Sequence, residues 1–511
     1  MFDKIKRKIK GVIHKVNGST TILEALGTSP ATSQVMRDNI ALWADMYMNK
    51  AWWTRPDPAP DLDDPIEVVS IGLPAAIASE KARMACLELK SEITSKNTAR
   101  GEFLDKSYQD GIISEIRKQA EYAIAKGGLA ITPYVIRDEG TAHFAFDFTQ
   151  ADRFIPIGFD TSGKITDAAF LIRKDTVDYI YFRLERQQYS NGVLTITNRA
   201  FRRAANTATV YDKDIYNVVL GTEINLADVP EWASLEPELG INNVDRVMFA
   251  YIKMPCANTI DINSPLGISG YSKAVDLIHQ ADIMHARLEW EMKAGMLRID
   301  IDSEAIKDAD GNSLKDRIPA VFRTRDTNDL KAYNVYAPNL RVEEYKSALD
   351  ELLARIEDSC ALSRGTLSRS SEQARTATEL KILRQRTYSE NADIQQAIQK
   401  ALEDVVYIMN AYCDIYPDLV SGNGKATENA VVSSSDNAYD VSFEWDDSII
   451  VDRETELQQR LTLMDRGIAG RVENRMWYYG ETEEQAIEAL KKIDEENKML
   501  AGEKLDNIGA I

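Results

Sequence analysis

Residues 308–313 (DADGNS) place acidic side chains at alternate positions, as a calcium loop does at its start. Further on the pattern fails. Ser313 stands where the sharp turn needs glycine, and Pro319 where a bidentate glutamate has to complete the shell, so the segment reads as a hairpin or turn. Residues 422–425 (GNGK) end like a phosphate loop, but Leu419 holds the place of its first glycine and a helix, not a strand, precedes it. Glu344 and Lys346 have the spacing of a nuclease ExK pair. They lie on a helical pattern with no suitable upstream aspartate, which makes chance the better account. Asp61, Asp63 and Asp64 belong to the proline-rich stretch 54–65 (TRPDPAPDLDDP), which reads as a solvated acidic loop more readily than as a cation site. GxSxG, HExxH and GxGxxG do not occur. Cys86, Cys256, Cys360 and Cys413 have no paired spacing, which excludes a CxxC motif and fits a reducing compartment. The four histidines are scattered; His279 and His285, six apart, point in different directions on a helix and read as interface or surface residues. These residue types lead to no metal, no cofactor and no enzyme.

The elements that carry them alternate between helical and extended patterns. Residues 36–50 place Ile40, Trp43, Met46 and Tyr47 on one helix face, and helical periodicity continues over 73–94 and 112–125 until Lys126, Gly127 and Gly128 stop it. From 129 to about 225 the runs LAITPYVI, DRFIPIGF, AAFLIRK, DYIYFRLERQQY and GVLTITNRAF predict an antiparallel meander, and VMFAYIKM predicts a later strand. Residues 270–295 form a helix pattern with Ala274, Ile278, Ala281, Leu288 and Met292 on one side; short strands and turns fill 296–340. A second helix, 341–360, carries Tyr345, Leu349, Leu352 and Ile356 in register and runs into the small polar segment 361–373 (ALSRGTLSRSSEQ). No glycine or proline then appears between Gly365 and Pro417, so 374–412 predicts one helix about 60 Å long. Its stripe is Ile394, Ile398, Leu402, Val405 and Met409, and no local partner for it is evident. A loop (421–435), a strand (VSFEW) and three helices near 453–464, 469–479 and 482–499 close the chain; the last opens with the capping-box spacing of Thr482 and Gln485. The class is α+β, mainly helical.

At 511 residues the length suggests about three domains. With 44% hydrophobic and 28% charged residues, a sizeable core can form. No stretch approaches the roughly 18 apolar residues of a membrane span. Residues 1–16 (MFDKIKRKIKGVIHKV) are basic with a helix-spaced apolar face but no signal-peptide core; they read as a terminal helix docked on the fold, with lipid or nucleic-acid contact through the lysines as the alternative. The net charge of −20 repels phosphate, which argues against tight DNA binding as the main task. It would suit a surface past which DNA must slide, but ordinary cytosolic proteins are commonly acidic too, so the charge alone decides nothing.

Four passages carry a family likeness: MRDNIALWADMYMNKAWW, SPLGISGYSKAVDLIHQADIMHARLEWEMKAG, SRSSEQARTATELKILRQRTYSENADIQQAIQKALEDVVYIM and FEWDDSIIVDRETELQQRLTLMDRGIAGRVENRMWYYGETEEQAIEAL. In order and texture the chain resembles the portal proteins of tailed bacteriophages, especially long-tailed phages of Gram-positive hosts. That resemblance implies a wing (1–265), a first stem helix (266–295), a clip with short strands (296–340), a second stem helix (341–360) and a tunnel loop (361–373). The long helix with the remaining wing (374–452) and crown helices (453–511) complete it.

By the same resemblance the protein is a ring of about twelve subunits at one capsid vertex, a conduit for DNA packaging and ejection. Ser363, Arg364, Gly365, Thr366, Ser368, Arg369, Ser370 and Ser371 would line the DNA channel, and Ile278, Leu288, Leu349, Leu352 and Ile356 would form the oligomer interface. Implied partners are the terminase, the head–tail adaptor, the major capsid protein, a scaffolding protein and transient, sequence-independent double-stranded DNA, with no membrane; assembly would take place in the host cytoplasm. The rival readings are a cytosolic helical enzyme with an unrecognised site and another phage structural or scaffolding protein.

Overall fold

The early helices start where a short polar side chain takes up an amide that the first turn cannot pair. In the computed structural model, which describes residues 20–54, 68–87, 89–138, 141–205, 215–233, 235–242, 244–302, 322–325, 333–369, 377–416, 418–421, 438–445 and 453–508, Thr21 and Glu24 exchange bonds in a capping box. It opens α1 (Ile22–Leu26) behind the two-residue strand β1 (Thr20–Thr21). Ser33 accepts from the Met36 amide to start α2 (Gln34–Tyr47), whose Met36, Ile40, Trp43 and Met46 are buried.

Helix α3 (Leu73–Cys86) is shorter than its pattern predicts, because residues 89–94 form a strand, β2 (Leu89–Ser95). The reason is local: burial there alternates at Ser91 and Ile93, a period of two that a helix cannot satisfy. Asn97 then caps α4 (Thr98–Tyr108), and a π-helical turn, Gln109–Ile113, joins it to α5 (Ser114–Lys126). Gly111 lies in that turn against the Phe146 ring, where no Cβ fits.

Strands β3 (Gly128–Asp138), β4 (Thr141–Gln150), β5 (Phe154–Phe159), β6 (Ile165–Asp175), β7 (Tyr179–Ser190), β8 (Val193–Ala204), β9 (Val219–Ile224), β10 (Glu238–Asn242) and β11 (Ala250–Lys253) follow. The meander is real from β5 to β9, each strand antiparallel to the next, with β1 on β9 and β10 paired to β8. Ile155, Leu171, Phe182, Leu184, Phe201 and Leu220 form its core under α1. The run at 129–136 does not join it. As β3 it sits between β4 and β11 in a separate sheet, and Leu129, Ala130 and Ile131 are all buried because helices cover it. A continuous apolar run marks such a covered strand, whereas alternation marks a half-exposed one.

Helix α6 (Val275–Ala294) leads into a small sheet in which β12 (Arg298–Asp302) lies between β13 (Phe322–Arg325), parallel to it, and β14 (Tyr333–Tyr336), antiparallel. Helix α7 (Val342–Ser359) returns beside α6. Helix α8 (Ala377–Ile415) is 39 residues in one piece, about 60 Å at 1.5 Å per residue. The expectation that it lacks a local partner is wrong. Ile394, Ile398, Leu402, Val405 and Met409 are buried, and the helix packs on β3 and β11 beside α3 and α4. Arg100 of α4 reaches Asp414 at 2.8 Å and the Asn410 side chain at 2.9 Å, and both charged side chains are under 10% exposed (6% and 7%). The short α9 (Asp418–Ser421) and β15 (Tyr439–Trp445), paired with β2, complete this unit.

Residues Trp445–Ile511 make a second compact unit. Its helices are α10 (Arg453–Asp465), α11 (Arg471–Tyr479) and α12 (Glu483–Ile508). Thr482 and Gln485 make the capping box predicted for the last helix, which runs nine residues past its expected end at Met499. Arg460 stands 4.5 Å over the Trp477 ring.

Candidate functional site

Helix α7 ends at a reversal. Ala361 takes φ 54°, a left-handed conformation that costs a side-chain-bearing residue about 1–3 kcal/mol, and Leu362 is buried beneath it. The turn that follows presents backbone amides with no regular partner, and α7 supplies one. Glu357, 0% exposed, accepts from the amides of Gly365 (3.3 Å), Leu367 and Ser368 (2.8 Å) and from the Ser368 hydroxyl (2.8 Å). A buried carboxylate is costly without hydrogen bonds, and a turn of converging amides is an anion-holding nest; each offsets the other's penalty. Gly365, at φ 94°, adopts the geometry that lets its amide join them.

Two more carboxylates of α7 hold the same segment. Asp358 pairs with Arg364 at 2.7 Å, and Asp350 accepts from the Arg369 amide at 2.8 Å. From helix α8, Thr387 donates to the Ala361 carbonyl (3.2 Å) and shares a 2.8 Å bond with Ser363. Behind it, Lys81 of α3 bonds Glu390 at 3.0 Å and the Gly270 carbonyl at 3.3 Å. A cavity of about 10 Å³ remains between Lys81, Leu362, Thr387, Glu390 and Asn391, room for about one water.

The sequence brings Ser363, Arg364, Gly365, Thr366, Ser368 and Arg369 into this one turn; Ser370 and Ser371 lie outside the described residues. The serines are less free than their number suggests, since Ser363 and Ser368 are bonded to helix side chains and Thr366 donates to the Ser363 carbonyl at 2.6 Å. Arg364 keeps 55% of its side chain exposed while paired with Asp358. Of the five expected interface residues, Ile278 and Ile356 are 0% exposed and belong to the subunit's own core. Leu288, Leu349 and Leu352 are half-buried and still offer area to a neighbour. On α6, Leu288 is half-buried and Met292 exposed, so only the Ala274, Ile278 and Ala281 part of its stripe is core.

A second cluster went unread in the sequence. Asp282 of α6, almost fully buried, accepts from the Trp53 indole (2.8 Å) and the Ile71 amide (3.0 Å), and the Trp53 ring lies 4.5 Å from His279. Burial is the main force raising the Asp282 pKa. Only the pairing of Trp52 and Trp53 with a downstream His and Asp hinted at it, and nothing in one chain links positions so far apart.

The DADGNS and GNGK segments and Asp61, Asp63 and Asp64 lie outside the described residues. Lys346 of the ExK pair bonds Glu343 at 2.9 Å on the surface of α7. Among the described residues no cluster of three or more His, Cys, Asp or Glu is placed to hold a metal, and no helix is long and apolar enough to cross a membrane. The four cysteines are free thiols; burial pushes Cys86 and Cys413 up to about 12 and Cys360 to about 11.

Residues 32–502 match the family model described as phage portal protein, SPP1 Gp6-like. The chain belongs to that family. A solved structure of the neck of a native GTA particle, computed with C12 symmetry, aligns at 10% identity over 91% of this chain and 97% of its own, with a TM-score of 0.36. No curated protein matches. As a phage portal protein the chain is a structural component of the virion and not an enzyme.

Proposed function

We propose that the subunits close into a ring of about twelve at one capsid vertex, through which DNA is packaged and ejected. In this reading α6 and α7 are the stem, the β12–β14 sheet the clip, 361–373 the tunnel loop, the earlier helices and strands with α8 the wing, and α10–α12 the crown. Leu288, Leu349 and Leu352 meet the neighbouring subunit, and the terminase, head–tail adaptor and capsid shell dock on the ring, which assembles in the host cytoplasm. Arg364 and Arg369 touch DNA phosphates in passing.

One observation carries the reading: the polar turn with both arginines is mounted on α7 by three carboxylates of that helix. Such a site places cations among a surplus of acidic groups. It offers phosphate brief contact without net attraction, which suits a sliding polyanion. Electron microscopy of the purified protein tests the assembly, the expected result being rings with a central hole. Only monomers or dimers by native mass spectrometry, across salt and protein concentration, would overturn it.

A further inference from the structure

We propose that Glu357 is the positioning residue of the DNA-facing turn: its carboxylate fills the amide nest at 365–368, so the turn is carried by α7 as one body and its amides are closed to DNA phosphate. The proposal rests on the tunnel-loop reading for the words "DNA-facing" and on the structure alone for the rest.

The composition of 361–369, with Gly365, Thr366 and two serines, suggests a pliable loop. The bonds say otherwise. Four donors of the turn converge on the two oxygens of one side chain, and that side chain is fully buried. Bonds to an ionised acceptor are about twice as strong as neutral ones. With Arg364 on Asp358 and the Arg369 amide on Asp350, every carboxylate that holds the turn among the described residues comes from α7. A nest of this kind would otherwise take a phosphate oxygen. With Glu357 in it, the turn meets DNA through side chains only. A contact that could hold DNA tightly is thereby removed, and the arginines keep a fixed position relative to the stem.

The test uses full-length rings and two readouts. Amide hydrogen exchange reads the latch: in the wild type, Leu367 and Ser368 should be protected despite their polar, serine-rich surroundings. In Glu357→Gln, which keeps the size and loses the charge, they should exchange at least tenfold faster while α7 stays protected. Unprotected amides in the wild type, or unchanged exchange in intact Glu357→Gln rings, overturns the proposal; the wild-type measurement decides even if the variant does not assemble. Binding of a short DNA duplex reads the closed nest. Glu357→Gln should bind several-fold tighter than Glu351→Gln, which removes an exposed charge from the same helix and frees no amide. A merely structural glutamate would leave the two variants equal, and equality with fast exchange removes the DNA-facing assignment while the latch stands.

Discussion

Replacing Leu352 and Ile356 with aspartate, one at a time, separates the ring interface from the subunit core. They lie one helical turn apart on α7, yet Ile356 is fully buried within the subunit and Leu352 only half. Complete burial of a leucine stabilises by about 1.5–3 kcal/mol, so at most about 1 kcal/mol remains for a neighbour to gain at Leu352. An aspartate there adds the cost of an unpaired charge at the contact, about 3–5 kcal/mol. At about 1.4 kcal/mol per tenfold, each interface weakens by about two to four orders of magnitude, and every contact around the ring is affected alike. Leu352→Asp should therefore give a soluble, folded subunit with wild-type circular dichroism and no rings by native mass spectrometry. At Ile356 the damage falls on folding: truncation to alanine alone costs about 2–5 kcal/mol, and Ile356→Asp should yield little soluble protein. Leu352→Asp rings as stable as wild type would refute the interface assignment, and soluble Ile356→Asp would refute the core one.

Changing Arg364 and Arg369 together to serine should leave rings intact and impair DNA packaging or retention; full-length DNA held at wild-type yield by such rings would end the tunnel-loop reading. Arg100→Met leaves Asp414 buried without its cation and should cost about 3–5 kcal/mol in denaturant unfolding, whereas Arg100→Met with Asp414→Leu should regain most of it. Arg199 holds the Glu223 carboxyl below its ordinary range through a hydrogen-bonded pair at 2.7 Å. That contribution is complete above the unfolded glutamate pKa and is lost as pH falls through the depressed folded value. Since the pair is partly exposed it is worth at most about 1 kcal/mol, and Arg199→Met should flatten the acid limb of a stability-against-pH curve by that amount. Purified rings should turn over no ATP; measurable hydrolysis abolished by Lys425→Ala would contradict a purely structural role.

The long helix, helices α6 and α7 and the meander are legible because each rests on a short-range pattern: 3.6 residues for the stripe from Ile394 to Met409, two along β7 and β8, and short apolar runs in β5 and β6. The errors share one cause. Residues 89–94 read as helix because one window cannot see β15, some 350 residues on, against which they pair. Strand β4 is not among the expected strands, though Phe144, Phe146 and Phe148 alternate along TAHFAFDFTQ and pair across to β3. The small polar segment at 361–373 stands out by its composition, but the carboxylate its amides meet does not, since Glu357 reads in sequence as one more acidic residue on an acidic helix. Ile278 and Ile356, expected at an interface, lie in the subunit's own core for the same reason: a stripe says which face is apolar, not which neighbour covers it.

The strand pairing between α6 and α7 has a consequence for how such a chain can vary. Arg298 stands opposite Tyr336 and Ile301 opposite Tyr333, so the chain leaving one helix is hydrogen-bonded to the chain entering the next, and Glu291 and Arg341 are joined at 2.8 Å just below. The excursion is thus shut at its neck. For a loop whose ends are already held together, doubling its length adds only about 0.6 kcal/mol of closure entropy. Insertions and deletions beyond the neck therefore reach the two helices with almost no energetic penalty. Length changes between the paired strands would thus leave the register of the two helices beneath untouched.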